Sequence, residues 1–121
     1  MRLAAPIPIL RSFDETKAKA FYCGFLGFTL DWEHRFTPDL PLYMQVSRGG
    51  CVLHISEHHG DATPGSAIRI EVDDIAALQR ELIAKQYQNG RPGICNQPWG
   101  RDMDVKDPAG NRLIFSEQKQ E

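Results

Sequence analysis

Hydrophobic and polar residues alternate along several short stretches of the chain. This is the pattern of half-buried strands, whose successive side chains point to opposite faces of a sheet. One set of alternating positions is apolar in residues 42–47, in 51–57 and again in 67–72. The link 48–50 (Arg-Gly-Gly) is typical of a tight hairpin turn between the first two stretches. With a further candidate at 28–35, the pattern predicts strands that each bury one face.

Two helices are predicted between these strands. Asp14 is expected to cap the first helix and Asp73 or Asp74 the second, because an aspartate carboxylate accepts hydrogen bonds from the first backbone N–H groups of a helix. Gly24 and Gly27 are expected to end the first helix. Apolar residues at helical spacing form one face of each helix, namely Ala18, Phe21, Tyr22 and Phe25 in the first and Ile75, Leu78 and Leu82 in the second.

Two turn motifs lie near the C-terminus, on either side of a strand-like run, 102–106. The second motif, Asp107-Pro108-Ala109-Gly110-Asn111, predicts a tight turn, because proline presets φ while glycine and asparagine tolerate positive φ. The first, Gln97-Pro98-Trp99-Gly100-Arg101, is interpreted as a loop that holds a flat apolar side chain for stacking on a planar ligand. The alternative is that Trp99 packs as a core residue under the final hairpin.

Each half of the chain therefore contains a strand, a capped helix and further strands, which predicts an α+β fold. The N-terminal run 6–11 is expected to be an edge strand or an arm, because Pro6 and Pro8 cannot donate to a strand ladder. The polar set of alternating positions is expected to line a cleft if the sheet curves; the alternative is the solvated face of an antiparallel sheet. This set comprises Tyr43, Gln45, His54, Ser56, Arg69, Glu71 and Arg112.

Composition narrows the functional classes. The 121 residues suit a single domain, and the formal net charge of −2 without a basic block gives no reason to expect nucleic-acid binding. The three cysteines, Cys23, Cys51 and Cys95, are irregularly spaced and are expected to be reduced thiols. No signal peptide or membrane-spanning run is recognised, so a cytoplasmic protein is expected.

The two C-terminal motifs and their spacing resemble the end of the bleomycin resistance proteins of the glyoxalase-like (vicinal oxygen chelate) superfamily. A weaker likeness extends from Ile7 to about Glu117. The resemblance implies one domain, 1–121, in which two βαβββ modules (about 6–59 and 65–118) form a curved mixed sheet around a cleft. It also implies a homodimer without a cofactor that has clefts between its subunits and sequesters bleomycin-type antibiotics without modifying them.

The same resemblance bears on catalysis. Metal-dependent enzymes of the superfamily hold a divalent cation at positions that correspond here to Ile7, Ala67 and Ile114. These side chains contain no oxygen or nitrogen donor for such a cation, so we predict a metal-free protein that is not an enzyme. The alternative is a lyase, isomerase or dioxygenase with a displaced metal site near His54, His58 and His59, although 58–61 is more simply interpreted as a polar loop.

The resemblance also implies roles for individual residues. Trp99 matches a stacking tryptophan, Phe36 the aromatic residue that faces it, and Ser56 a hydroxyl in the cleft. Pro8 matches the proline at which the N-terminal strand crosses to the partner subunit; the alternative is that Pro6 and Pro8 protect a strand edge. Phe36 has the alternative of being a core residue at a strand end. His54, Tyr43 and Arg101 complete the predicted ligand-binding set.

Three features depart from the family pattern. The segment 37–41 looks longer than the corresponding loop. Trp32 is an additional aromatic residue whose side of the sheet the pattern does not determine. Arg35, Arg69 and Arg112 are expected to bring positive charge to a cleft that should prefer a cation.

Overall fold

A computed structural model of the chain describes residues 1–88 and 90–119. The chain divides into two compact units, Met1–Pro64 and Gly65–Glu121. Each unit contains a four-stranded mixed sheet and a helical segment between its first two strands. The predicted α+β class with repeated βαβββ order is confirmed.

The first unit builds its sheet in the order β1-β4-β3-β2, with β1 parallel to β4 and the other neighbours antiparallel. Its elements are β1 (Ile9–Arg11), α1 (Glu15–Lys19) continuing as a π-helical turn (Ala20–Phe25), β2 (Thr29–His34), β3 (Tyr43–Arg48) and β4 (Cys51–Ser56). The N-terminal strand is thus an edge strand of its own unit, and the Pro8 carbonyl accepts a hydrogen bond from His54 N at 3.0 Å.

The first helix begins as its sequence predicts. Asp14 Oδ1 accepts a hydrogen bond from Lys17 N at 3.0 Å, and the predicted apolar stripe is buried. The second half of the helix differs from the expected α-helix, because its turn is widened and closes with a bond from Leu26 N to the Phe21 carbonyl. On the sheet, Leu10, Met44, Val46, Leu53 and Ile55 are buried as well, so the core of this unit comprises the stripe and these strand residues.

The second unit repeats this topology, with its sheet in the order β5-β8-β7-β6 and β5 parallel to β8. Its elements are β5 (Ala67–Glu71), α2 (Ile75–Ala84), β6 (Ile94–Gln97), β7 (Gly100–Lys106) and β8 (Arg112–Gln118). Asp74, rather than Asp73, caps α2, and its Oδ1 accepts from Ala77 N at 3.0 Å. The buried apolar residues of this unit are Ile75, Leu82, Met103, Val105, Leu113, Ile114 and Phe115.

The two C-terminal motifs fold as turns, with one correction. Residues 107–111 form the predicted turn, in which Asp107 Oδ1 accepts from Ala109 N and Asn111 N, and Gly110 has a φ of +91°. The sequence did not predict strand β6, which has only four residues, Ile-Cys-Asn-Gln, and follows three turn-forming residues. Because Gln97 pairs with Gly100, Pro98 and Trp99 are the two central residues of a tight β6–β7 hairpin rather than part of a longer loop.

Among the described residues, no helix is long and apolar enough to cross a membrane.

Candidate functional site

A β-bulge decides which residues reach the polar face of the first sheet. Leu30 pairs with Val46, but Trp32 rather than Asp31 pairs with Gln45. A bulge places two residues of one strand opposite one residue of its neighbour, so the side-chain alternation shifts by one position after it. Trp32 consequently shares the face of Tyr43 and Gln45, while Glu33 points to the helix side, where it bonds Lys19 at 2.7 Å.

Trp32 belongs to an aromatic cluster on this face. Its ring is stacked on Tyr43, with 6.0 Å between centroids and 9° between planes, and meets the His54 ring edge-on at 5.3 Å. The Trp32 side chain remains 43% exposed. Trp32 is therefore a candidate binding residue that the sequence left unassigned, and the signal that marks it, a register shift between neighbouring strands, is visible only in the sheet.

Hydrogen bonds determine how His54 is held. Gln45 Nε2 donates to Asp31 Oδ2 at 3.0 Å, which leaves Gln45 Oε1 to accept from His54 Nε2 at 2.9 Å. His54 Nδ1 then accepts from the Tyr43 hydroxyl at 2.7 Å. Because both ring nitrogens of His54 are engaged, this side chain orients Tyr43 and lies beside Trp32 as part of a fixed polar chain.

The pKa shifts of Asp31 and Tyr43 agree with these hydrogen bonds. Hydrogen bonds from Gln45 and from Ser47 lower the pKa of Asp31, so it is ionised and a strong acceptor near neutral pH. Burial, followed by the negative charge of Asp61, raises the pKa of Tyr43. Tyr43 is therefore a neutral phenol that donates to His54 and still offers its oxygen as an acceptor.

Phe36 lies beyond the end of β2 and is 74% exposed, which excludes the alternative of a core residue. It contacts the His34 ring edge-on at 4.8 Å. An open cleft of about 490 Å³ in this unit is lined by Trp32, His34, Phe36, Tyr43, His58 and Asp61. Phe36 and Tyr43 are thus brought to one cleft, together with Trp32 and His58, which were not in the predicted binding set.

Ser56, predicted as a cleft hydroxyl, is fully buried. Its hydroxyl donates to Asp61 Oδ2 at 2.7 Å and accepts from His58 N at 3.1 Å. Ser56 consequently anchors the loop that follows β4, and through it the cleft residues His58 and Asp61. This structural role differs from the direct ligand contact that the sequence predicted.

Trp99 in the second unit is also surface-accessible, at 50% exposure, so it is not a core residue under the hairpin. Its indole Nε1 donates to Asp102 Oδ1 at 3.0 Å. The Arg69 guanidinium lies over the indole, 5.3 Å from its centroid, and its Nη2 bonds both Asp102 oxygens at 3.1 and 3.2 Å. Trp99 is therefore held in a defined orientation at the tip of a tight turn.

Asp102 is the centre of this cluster. Ser116 Oγ donates to Asp102 Oδ1 at 2.7 Å, so three side chains donate to one carboxylate of which 9% is exposed. Burial alone would raise the pKa of Asp102, but the hydrogen bonds from Ser116, Trp99 and Arg69 together lower it. The carboxylate is consequently charged, and its charge is balanced by Arg69.

Arg101, Arg35 and Arg112 each pair with a carboxylate other than Asp102. Arg101, a predicted ligand-binding residue, bonds Glu117 Oε1 at 2.8 Å, and Glu117 Oε2 accepts from Ile75 N at the start of α2. Arg35 pairs with Glu15 and donates to the Leu40 carbonyl. Arg112 lies 3.7 Å from Asp104. Of the three arginines expected to bring charge to a cleft, Arg69 contacts Trp99, and Arg35 lines an open pocket together with Phe36.

Ile7, Ala67 and Ile114, at which the resemblance places the metal ligands of related enzymes, lie just before β1, at the start of β5 and within β8. Ile114 is 8% exposed and Ile7 44%. Within residues 1–88 and 90–119, no group of three or more His, Cys, Asp and Glu side chains is placed to share a metal ion. His54, the central residue of the alternative site, uses both ring nitrogens in hydrogen bonds.

Comparison with protein families and solved structures defines the class of this protein. The chain belongs to the glyoxalase superfamily, whose family model matches residues 1–121. This confirms the family predicted from the C-terminal motifs. Among curated protein sequences, no match is found.

Solved structures with the same fold include proteins that bind antibiotics. A bleomycin-binding protein from the bleomycin producer Streptomyces verticillus, complexed with copper(II)-bleomycin, is 30% identical, with 98% of this chain and 99% of that one covered and a TM-score of 0.74. A bleomycin resistance determinant encoded on the transposon Tn5 is 23% identical, with 98% and 100% covered and a TM-score of 0.75. TnmS3, an antibiotic-binding protein from Streptomyces sp. CB03234, is 20% identical, with 98% and 100% covered and a TM-score of 0.70.

Proposed function

We propose that this protein sequesters a bleomycin-type glycopeptide antibiotic, or a related planar and polar small molecule, without modifying it. One observation carries the proposal: Trp99 is half exposed, locked by Asp102 at the tip of a tight turn, in a chain 30% identical to a bleomycin-binding protein. A ring whose orientation is already fixed loses little conformational entropy when a planar ligand stacks on it.

The first unit supports the proposal independently. Trp32, Tyr43 and Phe36 offer aromatic surface at one cleft, and Asp61 adds a carboxylate at its wall. Aromatic walls with a small number of fixed polar groups are typical of small-molecule sites. Trp32 joins Trp99 and Phe36 as a proposed contact residue, and Tyr43 supplies an oriented hydroxyl.

The proposal includes a metal-free homodimer in which Pro8 marks the point of arm exchange. Strand β1 has only three residues and lies at a sheet edge, so few backbone bonds hold it to β4. Sedimentation of the wild type and of a variant lacking residues 1–8 tests the assembly, and the expected result is a dimer whose association weakens without the arm. A monomeric wild type would contradict it.

Titration with metal-free bleomycin, followed by calorimetry and tryptophan fluorescence, tests the binding function. We expect saturable, submicromolar binding with one drug molecule per subunit. Because the chain has two tryptophans, Trp32→Phe and Trp99→Phe variants assign the fluorescence change to a ring. Trp99→Ala is expected to weaken binding about tenfold or more, the effect of losing a central aromatic contact.

Two results would contradict the proposal. Unchanged drug affinity in Trp99→Ala would contradict the stacking role of Trp99. If the wild type did not bind bleomycin, the drug would not be its ligand. Stoichiometric bound metal that is lost in His54→Ala would instead support the metal-dependent lyase, isomerase or dioxygenase alternative. Retention of full drug affinity after dialysis against EDTA is the expected outcome.

A further inference from the structure

The second unit places the cationic side chain of Arg69 over an exposed aromatic ring. Arg69 covers one face of the Trp99 indole, at 5.3 Å from the ring centroid. With 50% of Trp99 exposed, a planar ligand can stack beside the guanidinium, on the part of the ring that Arg69 leaves open. Placing a second cation against the same ring is unfavourable, because Arg69 already uses the attraction of its π electrons.

The Arg69 guanidinium also has unused donors. Within residues 1–88 and 90–119, its hydrogen bonds to Asp102 and Ser116 are all made by Nη2. The side chain is 48% exposed, so Nη1 and Nε remain for an acceptor that comes from a ligand. Asp102 and Ser116 fix the guanidinium in place beside the exposed ring of Trp99.

We propose that Arg69 is a specificity-determining residue that selects planar aromatic ligands with a carboxylate or carbonyl acceptor at the ring edge and disfavours planar cations. The ring of such a ligand stacks on Trp99 while its acceptor receives hydrogen bonds from Arg69. Asp102 and Ser116 are positioning residues, since they act by orienting Arg69 and Trp99. This inference deepens the proposed binding function and rests on it for the role of Trp99.

Three probes of similar size and different charge test the inference in calorimetric titrations of the whole protein. They are 2-naphthoate, 2-naphthamide and 2-naphthylmethylammonium. The wild type is expected to bind the carboxylate most tightly and the ammonium most weakly. Arg69→Gln is expected to weaken carboxylate binding about tenfold, the effect of one charge-assisted hydrogen bond, and to remove the discrimination against the ammonium. Arg69→Lys, which keeps the charge, is expected to restore part of the preference.

Arg112→Gln is the matched control, because it removes the same charge from the neighbouring strand β8, where Arg112 pairs with Asp104. It is expected to leave all three affinities unchanged. A spectroscopic measurement excludes a merely structural effect: the Trp99 indole N–H resonance, assigned with the Trp99→Phe variant, should keep its chemical shift in Arg69→Lys and should move when 2-naphthoate is added to the wild type. No movement would overturn the inference.

The outcomes separate this inference from the proposed function when bleomycin is titrated in parallel. If 2-naphthoate binds in an Arg69-dependent way but bleomycin does not bind, the role of Arg69 is supported and the proposal that the protein sequesters bleomycin is contradicted. If bleomycin binds but the three probes bind equally well, the proposed sequestration of bleomycin is supported and the role of Arg69 is overturned. The inference would also be overturned if Arg69→Gln and Arg112→Gln lowered the affinity for every ligand by the same factor.

Discussion

The two units share a topology, but they differ in which strand of the parallel pair carries the polar side chain. In the first unit it is His54 on β4, and in the second it is Arg69 on β5. In each unit, an aspartate caps the helix and the last buried serine of the sheet donates to a carboxylate at 2.7 Å. The capping residue Asp14 corresponds to Asp74, and Ser56 corresponds to Ser116. At the same spacing from these residues, Ile9 on β1 corresponds to Arg69 on β5, and His54 on β4 corresponds to Ile114 on β8. Ile9 pairs with His54, and Arg69 pairs with Ile114.

This exchange accounts for the different surfaces of the two units. A histidine on β4 lies between Tyr43 and Gln45 and builds an aromatic, hydrogen-bonded wall. An arginine on the edge strand β5 instead reaches Asp102 and covers Trp99. One architecture therefore supports two kinds of aromatic surface, which differ in the strand of this pair that carries the polar side chain.

The largest predicted effect comes from the turn that holds Trp99. A Cβ at Gly100 would lie 2.0 Å from the Glu117 carbonyl oxygen and 2.8 Å from Lys119 N, and the residue has a φ of +152°. Gly100→Ala is therefore expected to lower the free energy of unfolding by about 3 kcal/mol or more, measured by chemical denaturation.

Gly49→Ala is its control in the first unit. Gly49 also has a positive φ, of +58°, but no atom lies within 4 Å of the added Cβ. Only the backbone strain remains, and a cost of about 1 kcal/mol is expected. Equal destabilisation by the two substitutions would show that the close strand contact at Gly100 has no energetic importance.

His54→Ala tests the polar wall of the first unit. The substitution leaves the Tyr43 hydroxyl and the Gln45 carbonyl oxygen without their partner, which is expected to cost about 1–3 kcal/mol in thermal or chemical unfolding. His59→Ala, in the exposed loop, should change stability by less than about 0.5 kcal/mol. If His54→Ala were as mild as His59→Ala, the hydrogen-bonded chain would not stabilise this unit.

Asp102→Asn tests the charged cluster of the second unit through its pH dependence. Because the pKa of Asp102 is lowered in the folded state, its contribution is fully present above the ordinary aspartate pKa of about 3.9 and is lost as the pH falls through the lowered value. The free energy of unfolding, measured by chemical denaturation at and below about pH 4, is expected to decrease less steeply with falling pH in Asp102→Asn than in the wild type. Identical slopes would contradict the assignment of this carboxylate as ionised and paired.

The smallest predicted effect concerns the second arginine that pairs with an aspartate of β7. Arg112 and Asp104 are about half exposed and 3.7 Å apart, so Arg112→Ala should change stability by less than about 0.5 kcal/mol. Arg69→Ala should cost more, because it removes a donor from the buried Asp102 carboxylate. Equal effects would mean that burial of the aspartate does not distinguish the two pairs.

Much of the fold and part of the candidate site could be predicted from the sequence. Asp14 and the stripe that starts at Ala18 predicted the first helix, and the residue types at 107–111 predicted their turn, because capping and turn formation depend on neighbouring residues. The exposure of Trp99 followed from its place between proline and glycine. Strand β6 was missed because its four residues do not alternate between apolar and polar, and it forms by pairing with β7.

The sequence by itself determined what depends on neighbouring residues: the helix starts, the tight turns, the alternating strands and the motifs that indicate the superfamily. Tertiary structure alone decided which polar side chains meet. A bulge at Asp31 reversed the alternation and placed Trp32 beside Tyr43, and parallel pairing of β5 with β8 brought Arg69 to Asp102 and Trp99. The physical reason is that strand register and pairing arise from contacts between residues far apart in the chain, and a shift of one position moves every following side chain to the other face.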